Sequence, residues 1–383
     1  MNKALLRIVL AVLVCSMIAV LPGVSVSAAE KEKILNADPE LISYIEDLAA
    51  SSSAALGSPE KTEFTVIEVY TLKKFSSSDT YTMFIFEEGG HAVYDNATGI
   101  VDELYVENSG IEDKLSLGKE YYYGGPGVVL FEENGDYYNL STNFKVSEYD
   151  VEIVSFYERA IDRSVPRLEK DQIARGPVRP ETSTERLLDD VSYFFALNSD
   201  DQFGNGYVGN DLHIAVAIML GYYDYFGIYP GLVPANYHYM ENGVRKEGTA
   251  NSYITKVQSM IGTNTNSIPT AAINLNSHFD TFGDVIFELN PSNRCGAAYS
   301  GGSVSLVLRS VENEINRNRP AVVSLQGAPI SRKVVVYGYK ETVSSGVTAT
   351  YYVQTGTENP LRAAYSYLWF DNCMFLDENP TNW

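Results

Sequence analysis

Residues 208–227 read VGNDLHIAVAIMLGYYDYFG, a polar, glycine-bearing loop that runs directly into an apolar helix. Ile214, Ile218, Gly221 and Tyr222 recur at 3.6-residue spacing, and Ala215, Met219 and Tyr223 widen the stripe. The residue at the mouth of this helix is Asp211. A helix N-terminus carries partial positive charge and free N–H groups, so it is a natural place to present a nucleophile or hold an anion.

The remaining pattern predicts a sequence of elements that changes character midway. Asp38 and Pro39 open a helix over 38–50, with Leu41, Ile42, Ile45 and Leu48 as its stripe. Strand-type runs follow at 64–72, 80–87, 91–94 and 101–105. Runs at 128–132 and 137–140 flank Glu133-Asn134-Gly135-Asp136, a hairpin signal. A further helix is expected over 151–161, with Ile153, Val154, Tyr157 and Ile161 on one side. Residues 162–184 turn charged and Pro-rich (Pro166, Pro177, Pro180), which predicts an interdomain linker. Beyond it, helices are expected at 250–261 and 304–316, and the segment 282–289 is ambiguous between helix and strand. Strands are expected at 321–325, 333–339, 348–354 and 365–370. Both halves are α+β by this pattern.

Composition adds bounds. With 383 residues, 45% hydrophobic and 20% charged, the chain can bury a sizeable core, and two domains are expected. The 28 Tyr residues favour β-structure, or a face that holds sugars or peptides. A formal net charge of −21 argues against nucleic acid and anionic membranes as partners. The N-terminus has the form of a secretory signal peptide over residues 1–29. Lys3 and Arg7 supply its charged region, an apolar run covers 8–21, and small residues before Ala28 or Ala29 offer a cleavage site. No run is long enough to span a membrane, so export to the extracellular side is expected. The expected organisation is a signal peptide at 1–29, an α+β domain at 30–150, a helix and charged linker at 151–184, and a second α+β domain at 185–383.

The candidate chemistry is sparse. Cys15 falls in the leader, leaving Cys295 and Cys373, either as a disulfide or as two free thiols. The four histidines and these cysteines have no metal-ligand spacing, and no cofactor is implied. The Gly124-Gly125-Pro126-Gly127 turn lacks the ending and the strand–loop–helix context of a phosphate cradle. His91, next to a turn inside a strand, is expected to be structural.

The second half resembles the secreted papain-like cysteine peptidases related to bacteriocin-processing peptidases. Gly221-Tyr222-Tyr223-Asp224 matches the run that closes the family's active-site helix, and Gln202 stands where the upstream amide would be. Residues 311–323, ahead of Ser324 and Leu325, resemble the helix and strand before the catalytic histidine. Residues 334–339 resemble the strand that this histidine opens, and 351–356 the strand bearing the third catalytic group. The first half is loosely similar to the propeptide-like domains of such peptidases. The resemblance implies a papain-like domain behind a smaller propeptide-like α+β domain.

The same resemblance locates the departures. Counting back from Gly221 puts the family's Cys at Asp211. Counting back from Tyr339 puts its His at Arg332, and the third group falls near Gln354. A carboxylate is a poor acyl-transfer nucleophile, and an arginine cannot act as a base. The expectation is therefore a degenerate site, with Asp211 and Arg332 as an ion pair and Lys333 as the competing partner of Asp211. Surviving candidates for chemistry are His213 as a base and Cys295 as a thiol placed elsewhere. The implied function is binding, of a peptide, a cell-wall component or a protease partner. The alternative is an active secreted cysteine hydrolase that uses Cys295 or an unrecognised site.

Overall fold

The computed structural model describes residues 37–116, 118–164, 182–196, 211–238, 240–241, 244–245, 251–289, 295–301, 303–326, 332–343, 347–355 and 362–377. Gln202 and the leader lie outside these residues, as does most of the charged Pro-rich segment.

The first half is one helix, a run of strands and a second helix. Helix α1 (Pro39–Ser52) starts where Asp38 accepts a hydrogen bond from the Glu40 N–H at 2.9 Å, with proline in the first turn. Strands β1 (Val66–Lys73), β2 (Thr80–Phe86), β3 (His91–Asp95) and β4 (Ile100–Tyr105) form an antiparallel meander. Strand β5 (Tyr121–Tyr123) adds to β1 in parallel, and β6 (Val129–Glu133) and β7 (Asp136–Asn139) continue it antiparallel. The β6–β7 turn places Asn134 and Gly135 at φ 55° and 85°, the left-handed pair that matches strand twist. Helix α2 (Glu148–Ser164) follows.

The second half opens with β8 (Thr182–Leu187), so residues 182–184 belong to a strand and not to a linker. A short helix α3 (Ser192–Ala196) and the long helix α4 (Asp211–Tyr225) come next. A two-stranded hairpin of β9 (Met240–Glu241) and β10 (Val244–Arg245) precedes helices α5 (Asn251–Ile261) and α6 (Ile268–Leu289). The ambiguous segment 282–289 is thus helical. Strand β11 (Gly296–Ser300), helix α7 (Val304–Asn316) and strands β12 (Ala321–Leu325), β13 (Lys333–Val343), β14 (Val347–Gln354), β15 (Arg362–Ser366) and β16 (Phe370–Asp377) complete the order.

The architecture is α+β, and its sheet does not stop at the expected linker. Fourteen strands join in one sheet, in the order β11-β16-β12-β13-β14-β15-β4-β3-β2-β1-β5-β6-β7, with β8 also paired to β13. The two halves meet where Ala364 and Tyr365 of β15 face Leu104 and Glu103 of β4. One hydrophobic core runs from Ile45 to Leu376 across that join.

Helix α4 lies at the centre of the second half. Every residue from Leu212 to Asp224 is buried, so the apolar stripe has become a whole cylinder. A helix apolar all round is stable only when covered on all sides. It packs against β12, β13 and α5. From α3, Phe194 stacks on Tyr222 at 5.4 Å and Tyr193 meets it edge-on at 5.5 Å. Each fully buried Leu, Ile or Met side chain here contributes about 1.5–3 kcal/mol.

Strand β13 carries an irregularity that decides which residues face α4. Val336 pairs with Val353 and Gly338 with Tyr352, so a bulge lies between Val336 and Gly338. Gly338 is required at this point. A Cβ there would meet the Leu187 side chain and would come within 2.9 Å of the Arg186 carbonyl of β8.

Candidate functional site

Asp211 opens α4, and its carboxylate lies in the first turn, where the helix end favours negative charge. It is partly exposed, whereas the twelve or more residues after it are not.

The bulge sets what Asp211 faces. Tyr339 points to the α7 side, where its hydroxyl donates to Asn316 at 3.2 Å. Unbroken alternation back from Tyr339 would put Arg332 on the opposite face, towards α4. The extra residue in β13 reverses this. Val334 now shares a face with Val323 and Cys373, the face covered by α7, where the Cys373 thiol lies 3.9 Å from the Val307 carbonyl. Lys333 and Val335 share the other face with Gln354, the partner of Val335 across the ladder.

The contacts follow that reversal. Arg332 donates from Nη2 to the Gly127 carbonyl at 3.1 Å. Its charge also acts on the buried Tyr105 and Tyr365 hydroxyls. Lys333 is the cation that Asp211 acts on. Lys333 is 1% exposed, and its Nζ donates to Asn266 Oδ1 at 2.7 Å. Burial lowers its pKa to about 8, against the opposing pull of Asp211 and Asp371.

Gln354 ends β14, between Val335 of β13 and Arg362 of β15. It is 1% exposed, and among the described residues neither its Nε2 nor its Oε1 has a hydrogen-bond partner. An orphaned carboxamide of this kind costs about 1–3 kcal/mol for each lost partner. Neighbouring Arg362 is fully engaged on the same face. It donates to Leu56 O at 2.9 Å and Phe194 O at 3.5 Å and lies over the Phe195 ring at 5.4 Å. The structure thus sets Lys333, on which Asp211 acts, on the same sheet face as Gln354, and sends Arg332 to the opposite face.

The other candidates lie apart. His213 is 1% exposed and turns its Nε2 to the Gly262 carbonyl at 3.0 Å, leaving Nδ1 buried and unpaired. Cys295 and Cys373 are both free thiols, and burial pushes each up to about 12. A bridge between them is excluded by the ladder. Ser300 pairs with Cys373 and Gly296 with Asp377, so Cys295 lies five residues further along β11. At about 3.4 Å per residue that separation far exceeds the roughly 7 Å limit for a disulfide.

A buried polar network in the first half reaches the same strand end, with only a faint sign of it in the sequence. Glu103 accepts from His91 Nε2 at 2.9 Å, from the Tyr123 hydroxyl at 3.3 Å and from the Gly127 N–H. His91 Nδ1 lies 2.6 Å from Glu112. These two carboxylates outweigh burial and raise His91 to about 9. Gly127 therefore links Glu103 through its N–H to Arg332 through its carbonyl. Next to it, Trp369 Nε1 donates to Asp102 at 3.1 Å, and Tyr105 and Tyr365 share a hydroxyl contact across the join. The available signal was the acidic pair Asp102 and Glu103 inside a strand buried on both faces.

No protein-family model, curated protein or solved structure matches the chain. Among the described residues, no group of three or more His, Cys, Asp or Glu is placed to hold a metal ion, and no helix is long and apolar enough to cross a membrane.

Chemically, the mouth of α4 offers the Asp211 carboxylate and the Lys333 amine on which it acts, and the unpaired Gln354 amide lies on the same sheet face as that amine. A thiolate–imidazolium pair, the requirement of papain-like acyl transfer, is not among them.

Proposed function

We propose that the chain is an exported, catalytically inactive papain-like peptidase homologue, with a propeptide-like first half, that acts by binding an extended peptide at the mouth of α4. The observation that carries this reading is Gln354. Its buried carboxamide has a free donor and a free acceptor on the sheet face it shares with Lys333, the residue Asp211 acts on, and a peptide group supplies both complements. The order of parts also supports it, with a covered helix first, a strand that opens on the charged partner of Asp211, and a neighbouring strand that ends on an amide. The Cys295 alternative is weakened by its thiol, which stays protonated at neutral pH.

The test uses Gln354→Leu, which is close in volume and has no orphaned atoms. Ligand-observed NMR with a panel of N-acetylated tetrapeptide amides is expected to show binding to the parent chain and none to the variant. The variant is expected to be more stable by about 1–2 kcal/mol in urea, because two unpaired buried groups are gone. Hydrolysis of a fluorescent casein that disappears in Cys295→Ala would overturn the binding reading. Unchanged peptide binding in Gln354→Leu would remove Gln354 from it.

A further inference from the structure

A second site lies far along the sheet, on the outer side of α2. A groove of about 800 Å³ runs between α2 and the β6–β7 hairpin, within the roughly 300–1,000 Å³ typical of ligand clefts. Phe75, Tyr137, Tyr149, Phe156 and Tyr157 supply five aromatic rings to its walls. The inner rings are fixed by one another. Phe75 stacks on Tyr122 at 4.9 Å and 19°, and Tyr137 meets both edge-on at 5.1 Å. The outer rings are open, with Tyr149 69% and Phe156 60% exposed. Leaving two such rings in water on one helix, above a groove already walled by rings, is costly unless something stacks on them. Glu152, Ser155 and Arg159 add hydrogen-bonding groups along the same wall.

The backbone around the groove discriminates between occupants. β7 is the last strand of the sheet at this end, and an extended peptide would ordinarily dock by pairing with such an edge. That edge is already taken. The Asn139 N–H donates to Phe144 O at 2.9 Å, the Val146 N–H to Tyr137 O at 2.8 Å, and Tyr138 bridges to Lys145. The groove therefore presents ring faces and polar side chains, without a free ladder. A net charge of −21 disfavours polyanions. A β-linked pyranose chain suits what remains. Its flat faces carry C–H groups that complement the negative face of an aromatic ring, and its hydroxyls bond to mixed donors and acceptors.

We propose that this groove binds a neutral β-linked oligosaccharide, stacked on Tyr149 and Phe156 and hydrogen-bonded along Glu152 and Arg159. The site is separate from the mouth of α4 and stands or falls without it. The test is calorimetric titration of the full chain with cellohexaose and, separately, with decaproline. Tyr149→Ala and Phe156→Ala remove exposed rings, so both variants are expected to keep the parent's melting temperature. Each is expected to weaken cellohexaose about tenfold, the double variant to abolish it, and Gln354→Leu to leave it unchanged. Absence of heat with cellohexaose, or binding that survives the double substitution, would overturn the proposal. Decaproline binding in place of cellohexaose, lost in the double variant, would also overturn it and assign the groove to proline-rich peptide.

Discussion

Glu103 and Gln354 are both polar, both buried, and lie on neighbouring parts of one sheet, yet their surroundings are opposite. Glu103 is met by a histidine, a tyrosine and a backbone N–H, and each of these is itself held. The Gln354 carboxamide has no hydrogen-bond partner among the described residues. A buried polar group that is fully paired fixes geometry, while one left unpaired costs stability that a fold can regain only by binding something. The contrast separates the part of the molecule that reads as structural from the part that reads as functional.

The largest effect expected from this contrast is at Glu103. Glu103→Ala leaves His91 charged without one of its partners, and should cost about 3–5 kcal/mol in urea denaturation. A cost below 1 kcal/mol would erase the distinction from Gln354.

Next comes pH. His91 is raised from 6.5 to about 9 by Glu103 and Glu112, so its contribution is fully present below about 6.5 and is lost as pH rises through 9. The loss is on the order of 3 kcal/mol. Glu112 is lowered, so its contribution is present above its ordinary value and lost only in acid. His91→Gln should flatten the alkaline side of the stability curve, as measured by urea midpoints across pH 6–10.

Lys333 is expected to behave in the opposite sense. Its pKa is depressed to about 8, so the unfolded chain holds more protons between 8 and 10.5, and stability from this group rises with pH there. Lys333→Met should therefore remove that slope and stabilise the protein at pH 7 by roughly 1–2 kcal/mol. A loss of stability at pH 7 would mean that the hydrogen bond to Asn266 and the attraction of Asp211 outweigh the desolvation.

The smallest energetic effect, and the sharpest geometric one, belongs to Asp211→Cys. A thiol at the first turn of α4, beside Lys333, should have a lowered pKa. It should be alkylated by iodoacetamide at pH 7.5 at least about tenfold faster than Cys295 and Cys373, which burial holds near 12. Equal rates would show that the helix mouth no longer presents its first residue to solvent.

Much of the fold was legible because local pattern and tertiary context agree. The helix expected at 304–316 is α7 to the residue, and the Asn134-Gly135 hairpin forms as its turn chemistry requires. The strand at 296–300 was missed, since Gly-Ala-Ala-Tyr-Ser has neither alternation nor β-branching and is held by pairing with β16. β8 was hidden in a charged, Thr- and Ser-bearing tail that reads as a tether until β13 offers it an edge. At the helix mouth, counting points to Arg332 as the cation, one residue before the Lys333 on which Asp211 acts. A bulge leaves no mark in composition, and it flips the strand before it, so Lys333 takes the place that counting assigned to Arg332. The pairing of His91 with Glu103 was equally silent, because it is made by strands coming alongside each other.

The seam between β15 and β4 has a kinetic side. Tyr105 and Tyr365 touch across 260 residues of chain. β4 therefore waits with an unpaired edge until nearly the whole polypeptide has emerged. Contacts so distant in sequence make for slow closure, and an open, apolar strand edge during that interval invites pairing with the wrong chain. The step that completes the sheet is thus the point at which this protein is most exposed to aggregation, and a helper that shields β4 would speed its maturation more than any gain in final stability.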